Sequence, residues 1–345
     1  MTRLLQRRVL AGLLSLALTA SAGSVFADPV ADFYKGRQIS IIVAHTTGTG
    51  YDTYARVLAR HMGRHIPGSP TFVVHNIDGA SGITGTNRLF HIAEKDGSVI
   101  GVFIHSVVLD PFIGKGAAKF DPSKFEYIGN MEESISTCTV WETAPAKTLE
   151  EMRTKEVRFG ASSVTGSPSQ MAAAMKNLLG AKINLIHGYR GVQGVKVALE
   201  RDEVQGICAL PLSTLRSQWA TAFEAGKLKV VAQLSGKKGA IPNVPYAYDF
   251  AKTEQDRQVF DIVFGSAKLG KLVAAPPGVP QDRLKALRAA FDATMKDKAF
   301  LAEAGKARLD ITPASADEVQ AFIKKLYATP KDIVARARKA VAYVK

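Results

Sequence analysis

Short apolar, β-branched runs alternate with amphipathic stretches along most of this chain, and that alternation constrains the fold more than any other feature. Residues 38–44 read Gln-Ile-Ser-Ile-Ile-Val-Ala, a buried strand. Residues 52–64 put Tyr54, Val57, Leu58 and Met62 at helical spacing. A strand over 71–75, a helix over 82–93 and a strand over 99–104 follow. This order predicts a parallel α/β layer built from right-handed crossovers. After the turn-rich residues 120–124 the pattern restarts. Strands over 137–141, 157–161, 183–187, 204–209 and 229–233 alternate with helices over 148–153, 167–179, 192–201 and 214–225. Residues 241–249, rich in Pro and Tyr, predict a connecting loop. Helices over 281–295, 316–327 and 330–344 finish the chain; Ser315 and Glu318 give the second of them a capping box. Two α/β lobes joined this way predict a cleft between them, where small ligands bind.

Residues 1–27 stand apart. Arg3, Arg7 and Arg8 precede an apolar run over 9–20, and small residues follow at Ala20, Ala22, Val25 and Ala27. This predicts a cleavable secretory signal peptide, cut near Ala27, with a run too short to cross a bilayer. Arg7-Arg8 also admits a twin-arginine signal. The whole chain of 345 residues carries +14; the leader holds three arginines and no acid, which leaves +11. That surplus suggests an anionic partner. Nucleic acid is not expected, because no Lys/Arg block is interleaved with aromatics and no zinc-finger spacing occurs. A content of 46% apolar residues excludes a disordered chain, and two cysteines cannot build a disulfide scaffold or a four-cysteine zinc site.

The chemistry concentrates in turns between strand and helix. The first, His45-Thr46-Thr47-Gly48-Thr49-Gly50-Tyr51-Asp52, brings a helix N-terminus to a glycine-rich turn, an arrangement that binds carboxylate or phosphate. The second, Asn76-Ile77-Asp78-Gly79-Ala80-Ser81-Gly82-Ile83-Thr84-Gly85, repeats it. Neither is a Walker loop or a dinucleotide fingerprint. Thr165, Gly166 and Ser167 form a hydroxyl-rich turn in the second lobe, read either as ligand contact or as N-capping by Ser167. Tyr189, Arg190 and Gly191 end another strand; Arg190 can pair with a carboxylate or sit in a surface salt bridge.

These stretches, with Asp96-Gly97, Phe120-Asp121-Pro122 and Ala275-Pro276-Pro277-Gly278-Val279-Pro280, resemble the landmarks of the Bug-type receptors of tripartite tricarboxylate transporters. The likeness runs over nearly the whole mature chain. It implies a type II-like two-lobe periplasmic binding protein, each lobe a mostly parallel sheet flanked by helices, with the ligand cleft between. The implied division is a leader over 1–27, a first lobe over 28–133 plus 258–345, and a second lobe over 134–257. The implied role is a periplasmic monomer that carries a small carboxylate to the transporter's membrane permease subunits, without catalysis or cofactor. Carried over, the binding set is His45, Thr47, Gly48, Thr49, Gly50 and Asp52; Gly79, Ala80, Ser81 and Gly82; His105 and Ser106; Thr165, Gly166 and Ser167; and Tyr189, Arg190 and Gly191.

The first loop departs from the family's pattern: Ala44-His45 replaces the usual Pro-Phe, Thr47 the Pro often found before the Gly pair, and Thr49 that pair's second Gly. Asp78 replaces the usual Pro of the second loop. An imidazole at His45 beside a bound carboxylate predicts affinity that weakens as pH rises from about 6 to 8. Rival readings are a ligand sensor of the same fold docking to a sensor kinase, and a secreted α/β hydrolase, for which no Gly-x-Ser-x-Gly elbow is present. A third is a metal receptor using His61 and His65, one helical turn apart; no metal is expected, because the pair suits a helix C-terminus. Cys138 and Cys208 are the only cysteines and, in receptors of this kind, lie on neighbouring strands of the second lobe. A disulfide is therefore one expectation and two buried thiols the other.

Overall fold

The computed structural model describes residues 28–113 and 118–343, so the signal-peptide reading of 1–27 lies outside the described residues. The first sheet takes β1 (Gln38–Val43), β2 (Thr71–Asn76), β3 (Val99–Phe103), β4 (Glu126–Asn130), β10 (Leu272–Ala275) and β11 (Ala314–Ser315) in the order β11-β4-β10-β3-β1-β2. The second takes β5 (Ser136–Trp141), β6 (Val157–Ala161), β7 (Ile183–His187), β8 (Gly206–Pro211) and β9 (Leu228–Gln233) in the order β7-β6-β8-β5-β9.

Both sheets are mixed, where the sequence led us to expect mostly parallel ones. Strands joined by a helical crossover are parallel: β1 with β2 and β3, and β6 with β7 and β8. The strands that enter a sheet from the other lobe are not. β10 runs antiparallel to β3 and β4, and β5 antiparallel to β8 and β9. No helix carries these strands back to the far end of the sheet, so they start at the cleft, where the others finish.

β1 shows why the layers form. Ile39, Ile41 and Val43 alternate onto one face, in a cluster with Tyr54, Val57, Leu58 and Met62 of α2 (Gly50–Met62). Ile42 and, beyond the strand, Ala44 fall on the other face with Ile83 and Leu89 of α3 (Ile83–His91). A strand buried on both faces reads as a continuous apolar run, as this one does.

Several elements escape the sequence pattern. α4 (His105–Ile113) follows β3 almost without a turn and contains Pro111. α5 (Leu149–Met152), α6 (Ser167–Leu179) and α7 (Gly191–Glu200) fall where helices were expected. The single helix expected over 214–225 is two short ones, α8 (Leu212–Arg216) and α9 (Ala220–Glu224), broken where Ser217 leaves helical geometry at ψ −82°. α10 (Glu254–Val263) and α12 (Lys298–Lys306) were not anticipated; α11 (Gln281–Thr294), α13 (Ala316–Tyr327) and α14 (Lys331–Val341) were. α14, expected with the first lobe, packs against α6 and α10. Asn177 on α6 donates to the carbonyls of Ala340 and Ala342 at 2.9 Å, and Leu185 N–H on β7 donates to Tyr343 Oη at 2.9 Å. The chain's last turn thus ties itself to the second lobe. No helix among the described residues is long and apolar enough to cross a membrane.

Cys138 and Cys208 are paired across β5 and β8 as a disulfide, with Cα atoms 4.0 Å apart and both side chains fully buried.

Candidate functional site

The strand-to-helix turns of both lobes face one another across a narrow cavity of about 50 Å³. At roughly 10–15 Å³ per water, it has room for about four. Its first-lobe wall comes from the β1–α2 turn (His45, Thr49, Gly50, Tyr51), from Ser81, and from Ile104 and Ser106 at the start of α4. The second lobe supplies Ser162, Ser167 and Pro168, then Gly191 and Val192, then Ala209, Leu210, Pro211 and Thr214. Lys271, just before β10, completes it. A larger groove of about 440 Å³ lies between α10 and α13, but none of the glycine-turn residues reaches it.

The helix starts explain why this cavity favours an anion. Away from the cleft, α1 (Pro29–Tyr34), α10, α12 and α13 are capped by the side chains of Asp28, Thr253, Asp297 and Ser315. α11 and α14 start on Pro280 and Pro330. Four helices that start at the cleft, α2, α3, α6 and α7, have no side-chain cap at Thr49, Gly82, Gly166 or Arg190. The first N–H groups and dipoles of α2, α6 and α7 remain available to a negative group, whereas Ile83 and Thr84 of α3 already donate to the carbonyls of Ala80 and Gly79. Ser167 is therefore not the N-cap that one reading made it; it is the first helical residue, with its side chain on the cavity wall.

The two glycine turns are built differently. In the first, Gly48 adopts φ +78° and its N–H donates to Asp52 Oδ2 at 2.9 Å. Arg56 Nε donates to Asp52 Oδ1 at 2.9 Å, Arg56 Nη2 to Asn76 Oδ1 at 3.1 Å, and Asn76 Nδ2 to the His45 carbonyl at 3.1 Å. Burial alone would raise the Asp52 pKa, but the hydrogen bonds from Arg56 and Gly48 hold it below the usual carboxylate range. Asp52 therefore closes the turn instead of lining the cavity. In the second turn, Gly79, Ala80, Ser81 and Gly82 all take positive φ. Two of these four are not glycine, and such backbone costs about 1 kcal/mol or more per residue and clusters at functional sites. The result is that Ser81 reaches across the cleft, its Oγ 2.7 Å from Ser163 Oγ and 3.3 Å from Ser162 Oγ.

Both cleft histidines are pushed toward the neutral form. Burial lowers the pKa of His45, with Lys271 pushing the same way and Asp78 opposing. Its Nδ1 accepts from Thr46 N–H at 3.0 Å, so Nε2 carries the proton. The ring stacks on Tyr51 at 5.2 Å between centroids. This burial works against the charged imidazole that a bound carboxylate would favour. His105 is pushed down to about 3, first by burial and then by Lys271. Its Nε2 lies 3.5 Å from Ser167 Oγ, while Nδ1 has no hydrogen-bond partner among the described residues. A Ser–His pair without an acid on the second ring nitrogen lacks the orienting group of a hydrolase triad.

Of the residues singled out from sequence, the structure brings His45, Thr49, Gly50, Ser81, Ser106, Ser167 and Gly191 to the cavity wall. Thr47, Gly48, Asp52, Gly79, Ala80, Gly82, Thr165 and Gly166 shape the turns behind it, and His105 sits behind Ser167. Tyr189 and Arg190 lie outside the wall: the Tyr189 hydroxyl faces Glu203 at 3.5 Å, and Arg190 is exposed. His61 and His65 are each engaged by a carboxylate, Glu303 at 2.6 Å and Asp297 at 2.8 Å. Sequence reasoning missed Tyr51, Ala209–Pro211, Thr214 and above all Lys271. Only the position of Lys271, immediately before the apolar run Leu272–Ala275, could have marked it.

Two α/β lobes closing on a cavity lined by helix N-termini define a two-lobe solute-binding protein. The chain belongs to the tripartite tricarboxylate transporter family receptors, whose family model matches residues 54–338. The family is one of receptors, not enzymes. A curated relative, the UPF0065 protein in gbd 5'region of Cupriavidus necator, is 27% identical over 254 residues, covering 70% of this chain and 73% of its own. Among solved structures, the periplasmic binding protein BugD superimposes with a TM-score of 0.70 at 20% identity, covering 89% of this chain and 98% of its own. A protein of R. palustris solved with adipate gives 0.69 at 17% identity, covering 88% and 97%.

Proposed function

We propose that the chain is a periplasmic receptor that binds one small organic carboxylate in the interlobe cavity and delivers it to the membrane permease of a tripartite tricarboxylate-type transporter. Export would use the leader over residues 1–27, with cleavage near Ala27. The observation that carries this reading is the cavity's donor surplus. Three uncapped helix N-termini, the hydroxyls of Ser81, Ser106, Ser162, Ser167 and Thr214, and Lys271 surround it, and no Asp or Glu stands in its wall. Donors without matching acceptors fit a carboxylate, which accepts only. Ile104, Val192, Leu210 and Pro211 give the same cavity an apolar side, suited to a short carbon chain. The relative solved with adipate supports a dicarboxylate of this size. At about 50 Å³ the lobes must part to admit such a molecule.

Thermal shift followed by calorimetry, against succinate, malate, adipate, citrate, aromatic acids and acidic amino acids, tests the reading. A ligand that binds only the native state adds about 2.7 kcal/mol at a hundredfold excess over Kd, so its melting temperature rises. A panel in which no carboxylate moves the melting temperature or releases heat refutes it.

A further inference from the structure

Lys271 is a buried cation at the cavity wall, and helix N-termini and hydroxyls leave it unexplained. Its side chain is 1% exposed. Nζ donates to Glu132 Oε2 at 2.6 Å, and the other oxygen of that carboxylate accepts from Ser213 Oγ at 2.7 Å. The ammonium also lies over the rings of Tyr51 and Tyr54, 4.7 and 4.9 Å from their centroids. An ammonium has three N–H donors. Among the described residues Glu132 is its one hydrogen-bond acceptor, and Lys271 is the one Lys, Arg, Asp or Glu in the cavity wall.

Resting on the carboxylate reading of the site, we propose that Lys271 is its specificity-determining residue: a ligand carboxylate enters as the second acceptor of the ammonium and is thereby selected over a neutral molecule of the same shape. Glu132 makes this possible. A lone cation in so dry a wall would be expelled or neutralised, whereas a paired one can stay charged there. The incoming carboxylate meets the ammonium first and Glu132 behind it. Coulomb energy falls with distance, so attraction to the nearer charge outweighs repulsion from the farther one. Ser213, beyond β8 in the second lobe, holds the carboxylate of Glu132, which lies between β4 and β5. The anchor therefore sits at the junction of the lobes, where a ligand must touch both.

Removing Lys271 alone would strand the Glu132 charge, so the test removes both: Lys271→Met with Glu132→Gln. Calorimetry compares adipate and succinate with their diamides on both proteins. The wild type should prefer each dicarboxylate, and the double variant should lose about 10- to 100-fold of that preference, the worth of one charge-assisted hydrogen bond. A folded double variant that keeps the full preference overturns the assignment. Should the double variant not fold, the wild type decides alone, by nitrogen NMR of lysine-labelled protein. A saturating dicarboxylate should shift one protected, slowly exchanging ammonium signal while the diamide leaves it in place. If the dicarboxylate binds and no ammonium signal moves, Lys271 is not the anchor, although the carboxylate reading stands. If no carboxylate of the thermal-shift panel binds the wild type, both proposals fall together.

Discussion

Replacing Cys138 and Cys208 by alanine should destabilise the second lobe far more than the loss of two small side chains would suggest. The bond closes a loop of 70 residues. For that length the chain-entropy model gives about 15 cal/mol/K, or about 4 kcal/mol at 25 °C, through restriction of the unfolded chain. Both side chains are fully buried, so the cavity left by two sulfurs adds to this loss. With a cooperative unit of about 150–250 residues, where each kcal/mol moves the midpoint about 2–4 °C, the melting temperature should fall by roughly 8–16 °C. The site should feel it too. Ala209, the next residue after Cys208, holds φ +57° on the cavity wall, a backbone position that persists only while its surroundings enforce it. Carboxylate affinity should therefore drop with stability. Calorimetric scans of the oxidised protein, of protein refolded in reductant and of the double variant make the measurement. Burial shields the native bond, so reduction has to be done on the unfolded chain. The reasoning fails if the three midpoints coincide, or if the denatured, unreduced protein titrates with two thiols.

Three further outcomes follow from the cleft. His105 keeps a pKa of about 3 when folded and regains about 6.5 when unfolded. Above pH 6.5 both states hold it neutral, and below it only the unfolded chain gains a proton, so stability should fall as pH drops from 6.5 toward 3, by about 2 kcal/mol at pH 5. Urea titrations at pH 7 and pH 5 should show this loss shrinking in His105→Gln, and equal losses in both proteins would count against it. Because burial lowers the His45 pKa, the fall in affinity between pH 6 and 8 should be shallower than the sequence alone suggests; a steep fall measured by calorimetry across that range would count against it. Gly85→Ala would place a methyl 2.7 Å from the Ile77 carbonyl and 2.8 Å from Ala44 Cα, both backbone atoms that cannot swing aside. It should cost about 1–3 kcal/mol in urea denaturation and weaken binding by shifting the turn that carries Ser81; a variant as stable and as tight as wild type would show that the helix gives way freely.

β1 reads well from sequence because both its faces are buried, and a short continuous apolar run such as residues 38–44 suits a strand covered by helices on either side. β6 was legible for the same reason. β4 and β10 were not: Glu126–Asn130 mixes charge, aromatic and glycine, and Leu272–Ala275 is only four residues long. Both take their identity from a neighbour supplied by a distant part of the chain, which no local window contains. The cavity shows the same division. Glycine turns announce themselves because an unusual backbone demands glycine, so the wall residues His45, Thr49, Gly50 and Ser81 were reachable. Arg190 looked like a carboxylate partner by chemistry, yet it precedes the first turn of α7 with its side chain in solvent, since the turn places Gly191 and Val192 at the wall instead. Lys271 was invisible because its partner Glu132 lies 139 positions away.

Net charge pointed toward an anion for a reason that the structure replaces with another. The +11 surplus is spread over side chains most of which are exposed, and at physiological salt such charges are screened over about 8 Å. They can speed the approach of an anion, but they hardly hold one inside a closed cavity. What would hold it there is short-ranged and mostly uncharged: peptide N–H groups at three helix starts, serine and threonine hydroxyls, and the His45 ring. Such groups favour a carboxylate without the desolvation cost of several buried cations. A single lysine, kept charged by Glu132, then suffices to separate an anion from its neutral shape-mate. A Lys→Gln change on the exposed surface should therefore slow association and leave dissociation unchanged, whereas a change at the Lys271–Glu132 pair should act on dissociation.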